Sequence, residues 1–233
     1  MKAAVVSFPG TNCDHDVEVL VESLTGSPAL KVWASERELP SSTDLLFVPG
    51  GFSYGDYLRC GAMAKVSPVA SAIREFAKSG GPVIGICNGF QILCELGLLP
   101  GILLPNRTTR FLSRYIHMRV ESTASVITSH LSKGEIFTSP IAHFEGNYFA
   151  SEDVLKSVED GDQVVFRYCD EEGKVDDGSE ETNPNGSVHA IAGVRNQAGN
   201  VVGFMPHPER IFEKEIDPTQ RGESLRLFER ILQ

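Results

Sequence analysis

Val83-Ile84-Gly85-Ile86-Cys87-Asn88-Gly89-Phe90 reads as a buried strand, a tight turn and the first residues of a helix. Its apolar run is continuous rather than alternating, the pattern of a strand covered on both faces. Upstream, Val69, Ile73, Phe76 and Ala77 share one face of a helix over Val69–Ala77, which Gly80-Gly81-Pro82 stops. Downstream, Phe90–Leu96 continues as a helix closed by Gly97. Further out, Leu45–Val48 is a buried strand ended by Pro49-Gly50-Gly51, Leu30–Ala34 and Ala3–Phe8 are two more, and Asp16–Leu24 has helical spacing. This alternation predicts an α/β fold with an open, mostly parallel central sheet and helices on both faces. In such sheets ligands bind where loops leave the carboxyl ends of the strands, here Pro9–Asp16, Pro49–Arg59 and Cys87–Gln91.

The second half of the chain is less regular. Strands are predicted at Tyr115–Val120, Val126–Thr128, Gln163–Tyr168, Ile191–Arg195 and Val201–Met205. Asp170–Asn185 is acidic and polar and reads as a solvated loop. Arg221–Leu232 is an amphipathic helix with Leu225, Phe228, Ile231 and Leu232 facing inward. No repeat or linker interrupts the chain, so a single domain over 1–233 is the economical reading.

Composition narrows the function. A net charge of −10 with no basic cluster excludes a nucleic-acid partner, because phosphate contacts need grouped Lys and Arg. No apolar run is long enough to span a bilayer, and no membrane partner is expected. The apolar start is followed at once by Pro9, Gly10, Asn12 and Asp14, which is a strand feeding a loop rather than a signal peptide. Five cysteines with no CxxC pair argue against a disulfide framework and against a structural zinc. His117, His130 and His189 are scattered without ligand spacing, so no metal is expected. A cytoplasmic location with reduced thiols follows, and a reduced thiol is free to be a nucleophile.

Cys87 is the candidate nucleophile. A random cysteine is more often a buried structural residue, and Cys94, inside an apolar helix, fits that description. A cysteine on a strand-to-helix turn with glycines two before and two after is different: the turn lifts it above the sheet, and the helix N-terminus favours a thiolate. The Asn88 N–H then points toward a developing oxyanion. In the Pro49 loop, adjacent glycines let backbone N–H groups approach a ligand, with Gly51 the best second donor. That loop lacks GxxxxGK[ST], so it is no phosphate cradle. Met205-Pro206-His207-Pro208-Glu209-Arg210 supplies a base. An extended chain puts His207 and Glu209 on one side, where the carboxylate fixes the imidazole tautomer. Cys87, His207 and Glu209 thus form a triad suited to acyl transfer through a thioester.

These residues resemble the class I, triad-type glutamine amidotransferases, and more narrowly the glutaminase subunits of phosphoribosylformylglycinamidine synthase. The matching runs are Pro9-Gly10-Thr11-Asn12-Cys13-Asp14, Pro49–Ala62 in full (PGGFSYGDYLRCGA), Gly85–Gly101, Ala142-His143-Phe144-Glu145-Gly146-Asn147, Asn183-Pro184-Asn185-Gly186-Ser187, Ile191-Ala192-Gly193-Val194 and Met205–Arg210. Phe144 departs from the pattern, which has glycine there. The resemblance implies a flavodoxin-like sheet, hydrolysis of L-glutamine to glutamate and ammonia, and Cys87, His207 and Glu209 as catalytic residues. It implies Gly51 and Asn88 as the oxyanion hole, and Gly50, Phe52, Gln91 and His143 as lining for the glutamine site. It also implies partners: a separate synthetase subunit, which would carry ATP and Mg, and a small third subunit. This chain shows no nucleotide-binding pattern, so no cofactor is expected in it. The rivals are a stand-alone cysteine hydrolase on a similar fold and a catalytically silent scaffold subunit.

Overall fold

The computed structural model describes residues 1–56 and 58–232. Tyr57, inside the Pro49–Ala62 run, and Gln233 lie outside the described residues. Among the described residues, eleven strands and five α-helices follow one another as β1 (Ala3–Ser7), α1 (Asp14–Thr25), β2 (Leu30–Trp33), β3 (Leu45–Val48), α2 (Val69–Lys78), β4 (Val83–Ile86), α3 (Asn88–Glu95), β5 (Ile102–Leu104), β6 (Leu112–Val120), β7 (Ile136–His143), β8 (Asn147–Phe149), α4 (Glu152–Asp160), β9 (Val164–Cys169), β10 (Ile191–Arg195), β11 (Val201–Phe204) and α5 (Glu223–Leu232).

Nine strands form one sheet in the order β2-β1-β3-β4-β11-β10-β9-β6-β7. The first five are mutually parallel. The last four continue the sheet antiparallel from β11. β5 and β8 pair separately.

The parallel half is covered on both faces. Register places Phe47 beside Ile84, and Val48 beside Gly85. Successive side chains alternate faces. The Phe47 ring meets Phe228 of α5 at 6.2 Å, and α5 packs on α1. A Cβ on Gly85 or Gly203 would instead strike Leu93 or Phe90 of α3. Helices α1 and α5 therefore lie on one face and α3 on the other. Burying both faces is what made β3 and β4 uniformly apolar.

The antiparallel arm curls back. β7 is the outermost strand, yet its Pro140 carbonyl accepts the His207 N–H at 2.8 Å, and its Ala142 carbonyl lies 3.9 Å from Cys87 Sγ. The arm thus roofs the carboxyl ends of β4 and β11. Two sequence expectations change here. Val126–Thr128 is a hydrogen-bonded turn, its Thr128 and Ser129 N–H groups returning to Ser125 O. The Asp170–Asn185 loop is polar and mostly exposed, but Thr182–Asn185 is buried beneath the site.

Candidate active site

Cys87 sits between β4 and α3 with φ 50° and ψ −107°, a left-handed backbone that no ordinary structural cysteine requires. The turn is possible because its neighbours lack side chains: a Cβ on Gly89 would lie 1.7 Å from the Val48 carbonyl oxygen. Cys87 is nearly buried, at 5% exposure. The Asn88 N–H is the first of α3 and has no earlier carbonyl within the helix to bond. The Asn88 side chain is occupied: its Oδ1 accepts the Ser53 N–H at 3.1 Å and its Nδ2 donates to Gln91 Oε1 at 2.8 Å.

His207 and Glu209 are buried together, and His207 Nδ1 meets Glu209 Oε1 at 2.6 Å. They do not do so from an extended segment. Pro208–Arg210 is a single 3-10 turn, closed by Arg210 N–H to His207 O at 3.2 Å, with Pro208 supplying the fixed φ that starts it. His207 Nε2 and Glu209 Oε2 are buried without a hydrogen-bond partner among the described residues. Burial is the largest influence on the His207 proton and pushes its pKa down. Glu209 and then Cys87 outweigh it and raise the value to about 9. The imidazole is therefore set to hold a proton at neutral pH.

The second candidate donor segment is laced to the first loop of the fold. Phe52 N–H donates to Gly10 O at 2.9 Å and Cys13 N–H to Gly50 O at 3.3 Å, flanking a bridge between Thr11 and Gly51. In such a non-hydrogen-bonded pair the residue's own N–H points away from its partner strand. Since Gly50 O faces Cys13, the Gly51 N–H of the same trans peptide points the opposite way. Gly51 has φ +140°, and a Cβ there would lie 2.7 Å from Asn12 N. Gly50 adjoins the triad: its Cβ would fall 2.7 Å from His207 Cε1 and 3.4 Å from Cys87 Cβ.

The remaining expected lining residues divide. Phe52 is 44% exposed and contributes backbone to the loop rather than a side chain to a buried site. Gln91 is buried, but its amide donates to Glu145 O at 2.5 Å and accepts from Asn88, so it braces the site. His143 is buried, with Nδ1 on Asn106 Oδ1 at 3.0 Å. Asn106 Oδ1 also accepts the Gly146 N–H, while its Nδ2 donates to His143 O and Arg110 O. The amide orientation is thereby fixed, and His143 must donate from Nδ1, leaving Nε2 as an unpartnered acceptor. Burial, then the charge of His207, lowers the His143 pKa to about 3, so this ring is neutral.

Asn106 carried no signal in the sequence, being one polar residue in an irregular stretch. Cys13 was equally silent: it lies buried behind the triad, its Sγ accepting from Arg210 Nη2 at 2.8 Å. His117, His130 and His189 bond to Thr138, Arg226 O and Glu159, apart from one another, and Arg59 pairs with Glu95.

Comparison with known proteins gives the family. Residues 1–232 match the CobB/CobQ-like glutamine amidotransferase domain. The chain is 52% identical to phosphoribosylformylglycinamidine synthase subunit PurQ of Aquifex aeolicus, over 91% of this chain and 92% of that one. It is 50% identical to the same subunit of Bradyrhizobium diazoefficiens, over 91% and 90%. Among solved structures, a chain of PurLQS from Thermotoga maritima aligns with TM-score 0.82 and 38% identity, over 99% of this chain and 97% of that one. The glutaminase domain of Trypanosoma brucei CTPS, at TM-score 0.60 and 15% identity, shares the fold. The chain belongs to the CobB/CobQ-like glutamine amidotransferases and, within them, to the PurQ subunits of phosphoribosylformylglycinamidine synthase.

Proposed function

We propose that this chain is the glutaminase subunit of phosphoribosylformylglycinamidine synthase and makes ammonia at Cys87. The carrying observation is the strained Cys87 at the head of α3, with the buried His207–Glu209 pair beside it, in a chain about half identical to PurQ subunits. The Cys87 thiolate attacks the side-chain carboxamide carbon of L-glutamine. The N–H groups of Asn88 and Gly51 hold the oxyanion. The imidazolium of His207 gives its proton to the departing nitrogen, ammonia leaves, and a glutamyl thioester remains on Cys87. Neutral His207 then takes a proton from water, whose oxygen attacks the thioester and releases glutamate. Glu209 holds the ring orientation and the charge through both steps. His143, a neutral acceptor, lines the substrate site.

Ammonia passes to a separate synthetase subunit, which converts formylglycinamide ribonucleotide to its amidine in purine synthesis, with a small third subunit completing the assembly. ATP and Mg belong to the synthetase. No described helix is long and apolar enough to cross a membrane, and a cytoplasmic site of action suits a biosynthetic enzyme with free thiols. Reconstitution with the synthetase tests the whole reading. Cys87→Ala should abolish the glutamine-driven reaction and spare the one driven by ammonium; loss of both would overturn the division of labour. A diazo-ketone glutamine analogue should label Cys87 stoichiometrically, whereas labelling another cysteine would point to a different hydrolase.

A further inference from the structure

Beside the nucleophile, Cys13, which the hydrolytic chemistry leaves idle, meets the catalytic pair in a cluster of metal-ligating groups. Cys13, His207 and Glu209 are all buried, and one ligand atom from each lies within 4.8 Å of the other two. Two of the three residues carry an atom with no partner among the described residues, His207 Nε2 and Glu209 Oε2. A thiol, an imidazole and a carboxylate are the donor set that suits zinc-like cations.

We propose that Cys13, His207 and Glu209 form a capture site for a soft divalent cation, zinc foremost, and that filling it switches the hydrolytic centre off. Zinc bonds of about 2.0–2.3 Å need donors about 3.3–3.8 Å apart across a tetrahedron, so the three donors, now within 4.8 Å of one another, must settle at that spacing. The cation displaces the Cys13 thiol proton, and that of His207 when present, to solvent. Arg210 must leave Cys13 Sγ, and Asp16, 3.8 Å from the guanidinium, is placed to take it. The dication then offsets the thiolate and the carboxylate, and His207 loses its role as base. Without a cation, burial and then Glu209 push the Cys13 thiol up to about 12, so it stays protonated and inert.

The inhibitory consequence rests on the glutaminase reading; the binding itself does not. The test uses Co²⁺ as a spectroscopic stand-in, added to the full chain under reducing conditions. In Cys87→Ala, one equivalent should raise a thiolate-to-cobalt charge-transfer band that Zn²⁺ bleaches, and the double variant with Cys13→Ala should lack it. In turnover with glutamine, Cys13→Ala should need at least tenfold more Zn²⁺ for half-inhibition, measured against its own uninhibited rate. Cys13→Ser serves both assays should the alanine variant fold poorly. No band in Cys87→Ala, a band surviving in the double variant, or equal Zn²⁺ sensitivity would each overturn the site. A chain that hydrolyses glutamine yet shows no band would overturn the site alone.

Discussion

Glu209 has no exposed surface, and its contact with His207 is the shortest that either residue makes. Glu209→Gln keeps the shape but offers an amide that can present a donor to Nδ1 and so select the wrong tautomer. We expect kcat to fall by about two to four orders of magnitude with the fold intact, measured by steady-state glutaminase assay and circular dichroism. The charge also sets the pH profile. His207 is raised to about 9 in the folded chain, so its proton is present below that value and lost above it. Turnover should therefore decline as pH rises through about 9, and Glu209→Gln should move that limb to lower pH, since Glu209 is the larger of the two charges raising it. An unmoved limb would assign the titration elsewhere. His143 works in the opposite sense. Its folded value of about 3 lies below the ordinary 6.5, so the unfolded chain binds the extra proton. Its contribution to stability is full above about pH 6.5 and is lost as pH falls toward 3, by up to about 1.4 kcal/mol per unit. Urea midpoints between pH 7 and 4 should drop less steeply in His143→Gln than in the parent chain. Cys87, His207 and Glu209 could be picked out as a candidate triad from residue type and spacing, because each would carry its chemistry in its own side chain. Asn106 could not, because its importance comes entirely from the four groups that the fold brings to its amide.

At the level of elements, the parallel half was legible, as were β6, β9 and β10 of the arm, but β7 was not. β3 and β4 match their predicted bounds because burial on both faces makes a strand uniformly apolar, a signal that survives without context. β7, by contrast, reads Ile-Phe-Thr-Ser-Pro-Ile-Ala-His, and Pro140 argues against a strand. Its alternating burial and its place at the sheet edge show why proline is tolerated there. The helix α4 was missed although Ser151 and two acidic residues open it, because only Val158 is buried and its apolar stripe is thin. β5 and β8 are three residues each, too short for a period to show. His207 and Glu209 were rightly paired for a partly wrong reason, since a 3-10 turn brings them together rather than an extended run. The turn and loop around the nucleophile also yield a mutational expectation. Gly51→Ala forces a left-handed φ on a side chain and drives a Cβ against Asn12 N, which rotates the peptide whose N–H faces the site. Loss of one oxyanion donor costs about 2.7–4 kcal/mol of barrier, so kcat should drop about 10²–10³-fold with KM little changed. A KM effect alone would mean that Gly51 shapes binding and not the transition state.

For the whole molecule, the question is whether the site is fully competent before the partner arrives. The Gly51 loop is tied on its inner side, by Tyr54 N–H to Pro9 O at 2.5 Å and Ser53 N–H to Asn88 Oδ1 at 3.1 Å. Beyond those ties the backbone runs left-handed at Tyr54, Gly55 and Asp56 in succession. Each non-glycine residue in that region costs on the order of 1 kcal/mol, so the loop holds its shape against a local preference to relax. Its outer side shows Phe52 at 44% and Leu58 at 75% exposure, apolar surface that a docked subunit would cover. A small relaxation is enough to turn the Gly51 peptide, and free glutaminase activity would waste ammonia. We therefore expect slow hydrolysis by the isolated chain and a rise in kcat of up to about 10²–10³-fold in complex with the synthetase, the range that one oxyanion donor supplies. Amide exchange at Gly51–Asp56 should slow in the same complex, while exchange in β3 and β4 stays as it is. Equal kcat alone and in complex would show that the inner ties suffice. A rise in kcat without slower exchange in this loop would place the control in another part of the site, with the neutral His143 and its Asn106 brace the next segment to probe.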